Sequence, residues 1–263
     1  MTTESHAVDQ IAGPSGHRTS LKKEGAVALV EFSRPPANYF SVGLLREIAD
    51  AFEEAERDDD VRAIVLSSAG RNFCAGADLA GESTHPFELY SQAERLFSIR
   101  KPSVVAVQGA AIGGGLGLAL AADFRVVTPG SKLSANFVKI GIHPGFASTL
   151  MLPRLVGHQM ASLLLLTGRR VDGEEALRIG LADVIAEPED LLDTALSLVT
   201  EIADNAPLAV ESTRAALKAD LAARARSRMS EEGRTQMSLM QTEDFAEGVR
   251  AVSERRKGNW KRR

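Results

Sequence analysis

One cysteine, one tryptophan and two tyrosines in 263 residues leave this chain poor in the residues that carry redox, disulfide or stacking chemistry. The single thiol, Cys74, excludes an internal disulfide and suits a reducing compartment. An excess of cations is missing too. Lys and Arg number 31 against 35 Asp and Glu, a net charge of −4, so no positive field draws in nucleic acid. Five histidines, at 6, 17, 85, 143 and 158, have no metal-ligand spacing, and no metal is expected. Long apolar runs are likewise absent: the longest candidate, 104–122, is interrupted by Gln108 and several glycines. Residues 1–20 lack both the basic start and the apolar centre of a signal peptide and read as a flexible tail. Together these absences predict a cytoplasmic, soluble protein without a nucleic-acid or membrane partner.

What is present is enough apolar material, 44% of residues, to bury a substantial core. Alternating or continuous apolar runs predict strands over 26–32, 62–67, 103–108 and 124–127. Leu44, Leu45, Ile48, Ala51, Phe52 and Ala55 recur at helical spacing and predict a helix over 42–57. Further helices are expected at 87–99, 114–121, 147–156 and 158–166, with an irregular stretch from 128 to 145. Asp172 ahead of Glu174 and Glu175 marks another helix start. From 189 onward the text is helical, over 191–205, 208–223, 230–241 and 244–256. The pattern is α/β, read as a tail (1–20), an α/β core (21–188) and a C-terminal helical region (189–263).

Two loops stand out. Cys74-Ala75-Gly76-Ala77-Asp78-Leu79 follows one apolar strand, and Gly109-Ala110-Ala111-Ile112-Gly113-Gly114-Gly115-Leu116-Gly117 follows another and opens an Ala/Leu helix. Small residues let a ligand approach bare N–H groups, as an oxyanion requires, and the helix N-terminus adds its dipole. Taken alone, the glycines read first as a packing turn that lets a helix lie on a sheet. A dinucleotide fingerprint fails on spacing, because the third glycine falls at Leu118 or Leu120 depending on register.

The two loops, together with Arg34-Pro35-Pro36-Ala37-Asn38, Lys101-Pro102, Gly141-Ile142-His143-Pro144-Gly145, Leu152-Pro153-Arg154-Leu155-Val156-Gly157 and Glu247-Gly248-Val249-Arg250-Ala251, occur in an order that resembles the enoyl-CoA hydratase/isomerase (crotonase) superfamily. The resemblance runs from about Leu21 to Trp260. It implies a spiral of ββα repeats with a C-terminal helical oligomerisation region, and a homotrimer or dimer of trimers. It also implies an acyl-CoA thioester as substrate or ligand with no other cofactor, and lyase or isomerase chemistry of the kind used in fatty acid metabolism. By position, the oxyanion-hole amides implied are those of Ala75 and Gly114. Substrate and coenzyme A contacts are implied at Pro36, Ala37, Ala77, Asp78, Leu79, Gly113, Phe137 and Lys257.

The resemblance breaks where a hydratase carries its two glutamates, since those positions are Gly117 and Phe137 here. A positioned acid or base contributes roughly 10²–10⁴-fold, whereas an oxyanion hole alone still supplies roughly 3–4 kcal/mol. The expectation is therefore an acyl-CoA enzyme that stabilises a thioester enolate but hydrates poorly; the alternative is a non-catalytic acyl-CoA binding protein. If a proton moves, Glu82, His85 and His143 are the groups in pocket-bordering segments. Each has a plainer reading, as a solvated loop for Glu82 and His85 and as a structural hydrogen bond for His143. Cys74 reads as a packed small side chain. The closing run, with six cations in the nine residues 255–263, is either a solvated tail or a partner for the phosphates of coenzyme A.

Overall fold

A computed structural model describes residues 11–12, 16–77 and 85–263. Its main sheet has seven strands in the order β1-β2-β3-β4-β5-β7-β9. β1 (Ile11–Ala12), β2 (Arg18–Glu24) and β3 (Val27–Ser33) pair antiparallel. β4 (Ala63–Ser68), β5 (Ser103–Val107), β7 (Phe124–Val127) and β9 (Val184–Ile185) continue from β3 in parallel. A second, two-stranded parallel sheet joins β6 (Ala110–Ile112), in the Gly-rich loop, to β8 (Lys132–Ser134), inside the stretch that periodicity left irregular.

The central strands are buried on both faces, which explains their unbroken apolar text. Val30, Ile64, Leu66 and Val105 point to the larger core, with Leu44, Leu45 and Ile48 of α1 (Val42–Arg57). Leu29, Val65, Val104 and Val126 point the other way, onto Leu191, Ala195 and Val199 of α6 (Leu191–Ala203). α6 thus completes the sheet's second face. Ser41 caps α1 through the Leu44 N–H at 3.2 Å, and α3 (Gly114–Ala121) is buried on every side.

The chain departs from the sequence-based expectation in two places, near the N-terminus and between α7 and α8, and keeps to it at α4. Strands β1 and β2 lie partly within 1–20: β2 reads Arg-Thr-Ser-Leu-Lys-Lys-Glu, is half or fully exposed, and carries no apolar alternation to announce it. α4 (Ser148–Thr167) is long and apolar enough by composition to cross a membrane, but Gly157 (φ 74°, ψ 162°) breaks it into the two expected pieces. The break between α7 (Pro207–Leu217) and α8 (Leu221–Leu239) falls at Asp220, in the left-handed region, and not after 223; Ala225 and Met229 are buried helix residues. α2 (Pro86–Ser98), α5 (Gly173–Arg178) and α9 (Glu243–Ser253) complete the helices named here.

Two ties hold the C-terminal helices to the core. Asp123, at the end of α3, accepts from the Ser103 N–H at 2.8 Å, pairs with Lys218, and takes Arg214 of α7 at 2.8 and 3.0 Å. It is thus a structural acceptor. α8 packs along α2, with Gln236 accepting from the Tyr90 hydroxyl at 2.7 Å.

Candidate active site

The first loop is stitched to its neighbours by backbone hydrogen bonds, and these decide which amides stay open. Cys74 donates to Ala110 at 2.8 Å and accepts from Ile112 at 3.0 Å. Ala75 donates to Ala37 at 3.1 Å, and the Gly76 N–H faces the Cys74 sulfur. The Ala77 N–H meets no acceptor among the described residues. On the second loop, Gly113 donates to Ser134 at 2.7 Å, while the Gly114 N–H at the start of α3 is likewise unclaimed. The open pair is therefore Ala77 and Gly114. The assignment to Ala75 is corrected, because its N–H is spent on the Ala37 carbonyl.

Both open amides border a cavity of about 470 Å³, within the usual range for small-molecule sites. Phe40, Phe137, Ile140, Ile142, Phe146 and Phe245 form much of its wall. Gly114 has no room for a side chain, since a Cβ there would collide with the Phe40 ring. Cys74, fully buried behind the loop, has its thiol pushed up to about 12 by burial, which makes it inert and agrees with its reading as packing.

The space beside Gly117, where the resemblance implies a hydratase's first glutamate, is physically filled. A Cβ on Gly117 would run into Cβ and the ring of Phe146. Phe146 (φ 59°) and Ala147 (φ 55°) both adopt the left-handed conformation, costly for side chains of their kind. Three donors hold that turn: Ala147 N–H (2.8 Å), Thr149 N–H (3.2 Å) and Thr149 hydroxyl (2.6 Å) all go to Glu232 of α8. Burial raises the Glu232 carboxyl to about 7 despite these bonds. The Phe146 N–H also faces the Tyr90 oxygen, and the buried phenol is held well above its usual range, hence neutral.

Among the sequence-designated residues, Ala75, Ala77, Gly113, Gly114 and Phe137 meet at the cavity. Asp78, Leu79 and Glu82 lie outside the described residues. Pro36 is exposed and the Ala37 carbonyl accepts from the Ala75 N–H; neither lines the cavity. His85 is exposed at the start of α2, its ring 5.6 Å from Phe87, and His143 spends Nδ1 on the Pro144 carbonyl at 2.7 Å. Neither histidine lines the cavity among the described residues. Lys257 is exposed and apart from it. Around it the tail folds back on α9: Arg256 pairs with Glu247, and Asp244 accepts from the Lys261 and Arg262 N–H groups.

Residues that sequence reasoning missed are Tyr90 of α2, Gln236 of α8 and Phe146. No charged side chain lines the cavity among the described residues, and its only titratable one there is Tyr90. Tyr90 had a faint signal, a rare tyrosine on the apolar face of a helix; Gln236 had none.

The sequence matches the enoyl-CoA hydratase/isomerase family over residues 22–263. It is 34% identical over 247 residues to a short-chain-enoyl-CoA hydratase of Clostridium acetobutylicum, covering 90% of this chain and 95% of the relative. It is also 34% identical over 250 residues to a crotonyl-CoA hydratase of Syntrophomonas wolfei, covering 91% and 96%. Among solved structures, an enoyl-CoA hydratase/isomerase from Pseudoalteromonas atlantica superposes with a TM-score of 0.85 at 30% identity, covering 92% of this chain and 99% of that one.

Proposed function

This chain belongs to the enoyl-CoA hydratase/isomerase family and has its crotonase-like fold, and we propose that it holds an acyl-CoA thioester with the carbonyl oxygen between the N–H groups of Ala77 and Gly114. The observation that carries this reading is the pair of unclaimed amides at the edge of an apolar cavity. Dry surroundings strengthen such donors for the negative charge that develops when a thioester enolises. The chemistry is enolate stabilisation with little side-chain help. Isomerisation, hydrolysis or loss of carbon dioxide from an activated acyl group fits it, and rapid hydration does not. No cofactor beyond the thioester is required. The working form is a cytoplasmic homotrimer or dimer of trimers; Leu166, Leu208 and Leu217, all strongly exposed on α4 and α7, support self-association.

Isotope-edited infrared spectroscopy with an acyl-CoA labelled at the thioester carbonyl tests the hole. The carbonyl stretch is expected to move to lower frequency on binding, and a bound ligand with an unmoved stretch would refute the placement. A second reading, a binding protein without turnover, is favoured by one observation: Tyr90, the cavity's only titratable side chain among the described residues, is neutral and already bonded.

A further inference from the structure

The cavity has a polar end that the proposed chemistry does not use. Starting from Gly114, the Phe40 ring packs where a Cβ on that residue would lie. Phe146 follows, its ring centroid 6.5 Å from that of Phe40. Beyond Phe146 comes Gly145, where a Cβ would collide with the Tyr90 hydroxyl and crowd Gln236 Nε2. Tyr90 and Gln236 therefore stand an aromatic layer away from the amide that receives the thioester. Both line the cavity, and both are more than nine-tenths buried, at 6% and 4% exposure.

Their hydrogen-bonding capacity is only partly spent. The Tyr90 hydroxyl donates to Gln236 Oε1 at 2.7 Å, and Gln236 Nε2 donates to the His143 carbonyl at 2.8 Å. A carboxamide has two N–H donors and two acceptor lone pairs, so Gln236 keeps one of each. The phenol oxygen, facing the Phe146 N–H, keeps a lone pair. A wall built only to support the 145–149 turn has no need of spare polar capacity against a cavity whose other polar side chains, Asn136 and Gln241, stand among Phe, Ile, Leu and Met. With no charged side chain lining the described cavity, a carboxylate or ammonium group there would be unpaired, which is costly in an apolar setting. A neutral group that both donates and accepts suits what is left.

We infer that Tyr90 and Gln236 form a specificity pair that reads a neutral oxygen substituent, a hydroxyl above all, on the part of the acyl chain remote from the thioester. This rests on the acyl-CoA reading and narrows its substrate class from plain hydrocarbon chains to oxygenated ones.

Calorimetric titration of the full chain with hexanoyl-CoA and with its 4-, 5- and 6-hydroxy derivatives tests the pair. At least one hydroxy isomer is expected to bind roughly threefold to tenfold more tightly than hexanoyl-CoA, the value of one net hydrogen bond. In Gln236→Met the ratio of dissociation constants should fall to within about twofold of one; Tyr90→Phe supplies the same test if that variant does not fold. A purely structural role would change the melting temperature without changing that ratio. Hexanoyl-CoA binding as tightly as every hydroxy isomer would overturn the pair alone, as would a preference that survives in the folded variant. Failure of all four thioesters to bind would overturn the acyl-CoA reading with it.

Discussion

Phe146 decides what can be restored at the catalytic positions. If Gly117 and Phe137 stand at the two carboxylate positions, as the resemblance implies, returning glutamates to both is not enough, since Phe146 already occupies the space next to Gly117. Gly117→Glu with Phe137→Glu is expected to fold poorly and to gain no hydration. Adding Phe146→Gly, which both clears the space and suits φ 59°, should recover melting temperature by several degrees. Thermal melts of the double and triple variants check this. Glu232 carries a second residue-scale consequence. Its folded carboxyl, raised to about 7 from 4.5, binds its proton more tightly than the unfolded chain does. The contribution it makes to stability is thus complete below about pH 4.5 and is lost as pH rises through 7, by up to roughly 3 kcal/mol. The stability of the wild type relative to Glu232→Gln should fall between pH 5 and 7.5; a flat difference would show that the group does not titrate there.

Elements differ in how plainly the sequence announces them, and the reason is where each buries its apolar face. α1, α3 and β7 match their expected bounds because a full apolar stripe or run packs against the core. β2 escaped notice because it is largely exposed, and α8 was cut short because its buried residues, Ala225, Met229 and Glu232 among them, alternate with arginines and serines. The two loops were legible through their small residues. Which amide stays open was not, since that depends on the Ala37 carbonyl reaching Ala75 from another segment. The polar wall was illegible for the same reason, Tyr90 and Gln236 being 146 positions apart. α7 has no buried residue of its own and is held by Arg214 and Lys218 on Asp123, itself largely buried. Asp123→Ala, which strands two cations, is expected to cost about 3–5 kcal/mol in denaturant unfolding. Hydrogen-exchange protection of α7 should collapse before that of α6.

At the scale of the molecule, a two-faced sheet sets both loops at one edge of the larger core, and α2, α8 and α9 close a cavity over them. The exposed leucines of α4 and α7 support the proposed self-association; sedimentation is expected to show a trimer or its dimer, and a monodisperse monomer would contradict it. The fold is shared with hydratases; on the proposed reading, Phe146 fills the space beside Gly117 and Phe137 takes the second carboxylate position, so that amides remain where acid and base are wanted. The most direct test is the rate of crotonyl-CoA hydration, followed by loss of the conjugated thioester absorbance. Turnover on the order of 10⁴-fold below an ordinary enzyme is expected, whereas turnover of roughly 10 s⁻¹ or more would contradict the account.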